Sequence, residues 1–186
     1  MVNEQYQKQE TITRIMQMFS AQKDLPSIQL SKFFTEQEYK KLRTSVLNLK
    51  FKKIYDPLMY KMQLASVPSK LISDDVLKFI SMVLGKKVSK LNFQAMHFEH
   101  RDYTLICDED GKKIGTEVII DLSDDWNALS GGSIVYVDGT GEYFKISPQG
   151  NSLVLVSRPK KDIKKFVHYV NALSGKKKRI FLMATI

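Results

Sequence analysis

The chain has 186 residues, 43% hydrophobic and 26% charged, with 9 Gly and 5 Pro; this is room for one cored domain and excludes collagen-like, disordered and low-complexity classes. No apolar run approaches the roughly 20 residues of a membrane span, the stretch from Met1 to Glu10 carries no apolar signal core, and the single cysteine, Cys107, permits neither an internal disulfide nor a Cys-rich zinc module. A cytoplasmic protein with no membrane partner is expected. The net charge is +9, and nine basic residues against one acidic residue between Arg158 and Arg179 supply +8 of it. The run from Arg158 to Lys178 is therefore a candidate contact for nucleic acid or the ribosome. The plainer alternative is a solvated lysine-rich face that keeps the chain soluble.

In chain order, Ile12, Ile15, Met16 and Phe19 form one apolar face of a short helix, and Pro26 stops its continuation. Thr35-Glu36-Gln37-Glu38 reads as a capping box, with Tyr39, Leu42, Val46 and Leu49 as the buried stripe behind it. Strands are expected at 51–55 and 59–65, around Asp56-Pro57. Ser73 is the expected cap of a third helix with the face Val76, Phe79, Ile80 and Val83, ended by Gly85.

From Lys90 the period changes to two. Strands are expected at 91–96, 103–107, 117–122, 133–137, 143–146, 152–156, 165–173 and 179–186, with Asp108-Glu109-Asp110-Gly111, Gly131-Gly132, Asp138-Gly139 and Pro148-Gln149-Gly150 as turns. Many short strands at this spacing indicate a sandwich or barrel. No internal repeat and no linker stand out. The fold class expected is α+β in a single domain, 1–186, with 1–89 a mainly helical support region and 90–186 a jelly-roll core. Two facing antiparallel sheets should form, with Val118, Ile120, Leu153 and Leu155 in shared apolar contact.

Residues able to do chemistry are few: His97, His100, His168 and Cys107, with no Gly-rich phosphate loop. Their setting, however, resembles a known family. Phe98-Glu99-His100-Arg101-Asp102-Tyr103, the apolar run Val118 to Leu122, Ser123-Asp124-Asp125-Trp126 with Gly131-Gly132, Pro148 with Leu153 to Val156, and Phe166-Val167-His168 followed by Arg179 come in the order of the 2-oxoglutarate- and Fe(II)-dependent oxygenases, prolyl-hydroxylase-like branch.

The resemblance implies a double-stranded β-helix (jelly-roll) that binds Fe(II) and 2-oxoglutarate and hydroxylates a protein side chain, proline being the default. His168 then stands for the distal metal ligand. Counting from Tyr103, the first two ligands fall on Cys107 and Glu109, or in a slipped register on Asp108 and Asp110. Neither register supplies the family's His-x-Asp. The one literal copy, His100-Arg101-Asp102, comes seven residues early. Arg179 would hold the cosubstrate's far carboxylate, and Tyr103 would line the pocket. A facial triad of this kind leaves coordination positions open for cosubstrate and oxygen. The departure from His-x-Asp keeps a second reading open: a catalytically inactive jelly-roll that binds a partner, with the basic run contacting nucleic acid or a ribonucleoprotein. A jelly-roll that binds a sugar or another ligand is a third.

Overall fold

The computed structural model describes residues 1–107 and 114–186. Three helices, α1 (Gln9–Ser20), α2 (Glu36–Leu47) and α3 (Asp74–Leu84), pack on one face of a large antiparallel sheet. Their buried faces are the expected ones: Ile12, Ile15 and Phe19; Tyr39, Leu42 and Val46; Val76, Phe79, Ile80 and Val83. Thr35 caps α2, its hydroxyl accepting from Glu38 N at 3.4 Å, but Glu38 does not reach back; its carboxylate pairs with the amino group of Met1. Ser73 precedes α3 without a side-chain cap bond, and Gly85 ends that helix at φ 62°.

The strands are β1 (Ser27–Ser31), β2 (Lys52–Asp56), β3 (Tyr60–Ser66), β4 (Gln94–Phe98), β5 (Tyr103–Thr104), β6 (Gly115–Asp121), β7 (Ile134–Val137), β8 (Tyr143–Ile146), β9 (Ser152–Arg158), β10 (Lys164–Val167) and β11 (Arg179–Thr185). Seven run in the order β1-β9-β6-β11-β4-β3-β2, with β5 also paired to β3; the other three form a facing sheet, β10-β7-β8. The expected jelly-roll α+β architecture is present. The first 89 residues are more than helical support, since β1, β2 and β3 belong to the large sheet. The strand expected at 103–107 stops at Thr104, because after pairing with β3 the chain leaves Leu105 and Ile106 half exposed.

Period two divides the core. Val118 and Ile120 on β6 lie across from Leu155 and Leu153 on β9, and all four share the apolar cluster under the helices. The alternate residues, Ile119, Val154, Val156 and Phe181, face the smaller sheet with Ile134, Tyr136 and Ile146. The space between the sheets, where the resemblance puts cosubstrate, is filled in part by Phe98 and Phe181, whose stacked rings lie 5.8 Å apart. A short repeat is also present, contrary to expectation: Asn-Ala-Leu-Ser-Gly stands at 127–131 and again at 171–175.

Candidate functional site

On β6, Glu117, Ile119 and Asp121 point into the space between the sheets, as residues two apart on a strand must. The two carboxylates are about 13 Å apart along the strand, and each anchors a polar cluster inside apolar packing.

Arg179 opens β11 and is 0% exposed, while Asp121 is 1% exposed. Arg179 Nη1 donates to Asp121 Oδ2 at 2.6 Å and to Ser123 Oγ at 2.7 Å, and Nε donates to the carbonyl of Gly132 at 2.8 Å. The guanidinium also lies over the Phe181 ring, 4.6 Å from its centre. Asp121 is held in turn by the backbone N–H groups of Ser123 and Gln149. Burial pushes the Arg179 pKa below its ordinary value, and Asp121 offsets part of that fall. The cation expected to hold a ligand's carboxylate thus already holds one from its own chain. Only Nη2 has no partner among the described residues.

At the other end, Glu117 accepts from Tyr136 Oη at 2.5 Å, from Lys165 Nζ at 2.5 Å and from Arg158 Nη1 at 3.1 Å. Burial alone would raise the carboxyl's pKa; Lys165, Tyr136 and Arg158 together bring it below the ordinary value. A cavity of about 480 Å³ opens beside this cluster, lined in part by Gln94, Met96, Glu117, Lys165 and Met183.

The described members of the expected site do not gather at one point. His168 and Arg179 meet at Gly132, but through the His168 backbone, whose carbonyl accepts from Gly132 N at 3.0 Å. The imidazole is exposed, with Nδ1 3.1 Å from its neighbour's carbonyl, Tyr169 O. Cys107 is half-buried and free, while Asp108, Glu109 and Asp110 lie outside the described residues. Tyr103 spends its hydroxyl on the Pro57 carbonyl at 3.1 Å. Of the literal pair, His100 is exposed; Asp102 is buried, pairing with Lys61 at 3.2 Å and accepting from Glu99 N. Among the described residues no three His, Cys, Asp or Glu side chains are placed to hold a metal ion.

The basic run is likewise divided. Arg158, its first member, and Arg179, just beyond its end, are buried and ion-paired, and Lys165 is turned onto Glu117. The remaining exposed lysines sit on separate turns, Lys160 and Lys161 after β9 and Lys176 to Lys178 before β11. Among the described residues no helix is long and apolar enough to cross a membrane.

Reading the sequence missed Glu117 and Asp121, although the signal was there. Glu117 opens and Asp121 interrupts an apolar run, Glu-Val-Ile-Ile-Asp-Leu, and a spacing of four puts both on one face of a strand. A buried carboxylate on an inward face requires a cation, and Arg158 and Arg179 fall at the ends of strands with matching inward faces.

No protein-family model and no curated protein matches the chain at the sequence level. Solved structures do match in fold. A Pseudomonas putida prolyl-4-hydroxylase superposes with a TM-score of 0.69 at 10% identity, over 92% of this chain and 97% of that one. A Trichoplax adhaerens prolyl hydroxylase, solved with a hypoxia-inducible-factor degradation-domain peptide, gives 0.72 at 14% identity, over 97% and 95%. A 2-oxoglutarate–Fe(II) oxygenase-family protein of Burkholderia pseudomallei gives 0.69 at 11% identity, over 94% and 89%. The fold is that of the prolyl-hydroxylase-like oxygenases. Set against that fold, the described residues do not fit a 2-oxoglutarate carboxylate on Arg179, because Asp121 occupies its Nη1, and they do not assemble a metal site.

Proposed function

We propose that this chain uses the oxygenase fold as a binding protein and does not carry out oxygenase chemistry. The observation that carries this reading is the Asp121–Arg179 pair. A buried guanidinium that already holds a carboxylate at 2.6 Å, a serine hydroxyl and a backbone carbonyl has little left for a dianionic cosubstrate. Admitting one would place two carboxylates on one cation in a low-dielectric interior, which is strongly unfavourable. The partner proposed is a segment of another protein; the peptide held by the Trichoplax hydroxylase of the same fold supports that choice. A contact with nucleic acid through the lysines after Arg158 is the lesser candidate, since the run is split between turns. A cytoplasmic setting accords with one free cysteine, Cys107.

The second reading is the oxygenase itself, favoured by the extent of the fold match. In it His168, with Cys107 and Glu109 or with Asp108 and Asp110, would hold Fe(II), and Arg179 with Tyr103 would hold 2-oxoglutarate. One titration separates the two. Trp126 is the single tryptophan; its indole N–H donates to Gly131 O, and it packs beside Gly132 next to Arg179. Its fluorescence therefore reports occupancy of the Arg179 seat. Adding 2-oxoglutarate with Mn(II) should leave the emission unchanged and release no binding heat. Saturable binding, or succinate formed with Fe(II) and a peptide substrate, overturns the binding-protein reading in favour of the enzyme.

A further inference from the structure

The two Asn-Ala-Leu-Ser-Gly segments fold alike. Each forms a one-turn 3-10 helix, Ala128–Ser130 and Ala172–Ser174. In each, the Asn side chain accepts from the leucine N–H, Asn127 from Leu129 at 3.0 Å and Asn171 from Leu173 at 2.9 Å. In each, the serine is buried and the glycine takes a positive φ, 79° at Gly131 and 57° at Gly175. The turns also abut: Asn171 donates through its backbone N to Ser130 O at 3.0 Å and through Nδ2 to Leu129 O at 2.7 Å.

The turn accounts for asparagine and glycine at their positions and buries the serine; it does not account for leucine. Leu129 is 73% exposed and Leu173 62%. A single exposed leucine is ordinary. Here the same residue stands out at the same point of two adjoining turns, with Tyr169 also exposed just before the second. The surroundings are cationic. Lys176, Lys177 and Lys178 follow the second turn in the open, and exposed Arg101, whose N–H donates to Val170 O, lies on the side of Tyr169. The nearby acids are Asp124 and Asp125 before the first turn and, beside Arg101, exposed Glu99 and the buried Asp102 that pairs with Lys61; the Lys177 ammonium rests on the Asp125 carbonyl.

We infer that the paired turns form a docking face for a segment of a partner protein in which acidic residues flank apolar ones. The leucines would anchor it and the cations would orient it, the usual division between apolar core and charged rim. A second copy of this chain fits poorly, since it carries the same cationic face and a net charge of +9. The inference deepens the binding reading by naming its partner class. Its test contains neither metal nor 2-oxoglutarate, so failure of one leaves the other standing.

The probe is a fluorescein-labelled peptide in which leucines alternate with Glu and Asp, followed by anisotropy against the full chain; the control replaces the acids with Lys. The acidic peptide should bind and the basic one should not. Affinity should weaken on going from low to physiological salt. Leu129→Ser with Leu173→Ser should weaken it about tenfold or more, the effect of losing a hot-spot contact. Because both leucines are exposed, the melting temperature of that double variant should stay at the parent value, which separates lost docking from lost folding. Absence of binding by the acidic peptide, or equal binding by parent and double variant, overturns the inference. So does a concentration-dependent dimer abolished by the double variant, which makes the occupant a second copy. Binding to phosphatidylglycerol vesicles in preference to the peptide, again lost with the leucines, overturns it in favour of a membrane surface.

Discussion

A methyl group on Gly132 would stand 3.1 Å from Cγ and 3.2 Å from Cδ of Arg179, and 3.3 Å from the indole of Trp126. The absent side chain is what lets the Arg179 stem pass behind the turn while its Nε reaches the Gly132 carbonyl. Gly132 also sits at φ 73°, where an L-residue is strained.

Gly132→Ala should therefore cost about 1–3 kcal/mol and shift Trp126 emission, both measurable in one thermal melt followed by fluorescence. Gly131→Ala should be worse. Its Cβ would fall 1.9 Å from the Tyr169 carbonyl oxygen, a backbone atom that cannot swing aside.

Asp121→Asn leaves a buried guanidinium without its counter-charge and should destabilise by about 3–5 kcal/mol. Replacing both partners, Asp121→Leu with Arg179→Met, should recover much of that loss, because desolvating a pair costs nearly what its attraction returns. Urea denaturation of Asp121→Leu, of Arg179→Met and of the two combined closes the cycle. A double variant no more stable than Asp121→Leu alone would mean that the pair, and not simply its neutrality, holds the sheets together.

Glu117 makes stability acid-sensitive. Its folded pKa lies below the ordinary value, so its contribution is complete above the unfolded carboxyl pKa of about 4.3 and disappears as pH falls through the lower folded value. Glu117→Gln should destabilise at neutral pH and flatten the profile below pH of about 4. Melting temperatures across that range decide it; an unchanged acid limb would place the sensitivity elsewhere.

His97 acts in a higher window. Burial lowers its pKa, outweighing the opposing pull of Glu99 and Asp102 and joined by Lys178. The ring stays neutral while the unfolded chain protonates, so stability is full above about pH 6.5 and declines below it toward the folded pKa. His97→Phe keeps a ring against Phe51, now 5.4 Å away in an edge contact, and should remove this dependence.

The helix starts offer a matched pair. Thr35→Ala removes an observed cap bond and should cost about 1 kcal/mol. Ser73→Ala removes no cap bond and should be close to neutral. Equal losses at both sites would show that the hydroxyl bond is not what starts α2.

The helices and most strands were legible in the sequence because their signals are local: an apolar face repeats within a few residues whatever the rest of the chain does. β1 was not. Ser-Ile-Gln-Leu-Ser is short and only half apolar, and it becomes a strand by pairing Ser27 through Ser31 with Val156 through Ser152, far along the chain. Arg179, the cation that the resemblance expects inside the jelly-roll, does lie in the core, where the apolar Ile180 to Leu182 that follow it are also buried. The carboxylate it meets is hidden in the sequence because Asp121 stands inside the apolar run Val118 to Leu122. Arg158 shows the converse error. Counted by charge it belongs to the basic run, a nucleic-acid contact or a solvated face, whereas its alternation with Val154 and Val156 puts it inside. His168 followed the family's order, but order along the chain does not fix where a side chain turns once its strand has ended at Val167.

Strand β11, residues 179–185, lies between β6 and β4 in the middle of the large sheet. The halves β1-β9-β6 and β2-β3-β4 can each assemble, yet their inner edges, β6 in one and β4 in the other, stay unpaired until β11 enters between them. Unpaired edges of this kind are where nascent chains stick to one another. Insertion of β11, more than the pairing of any other strand, takes this protein from a vulnerable pair of half-sheets to one continuous sheet.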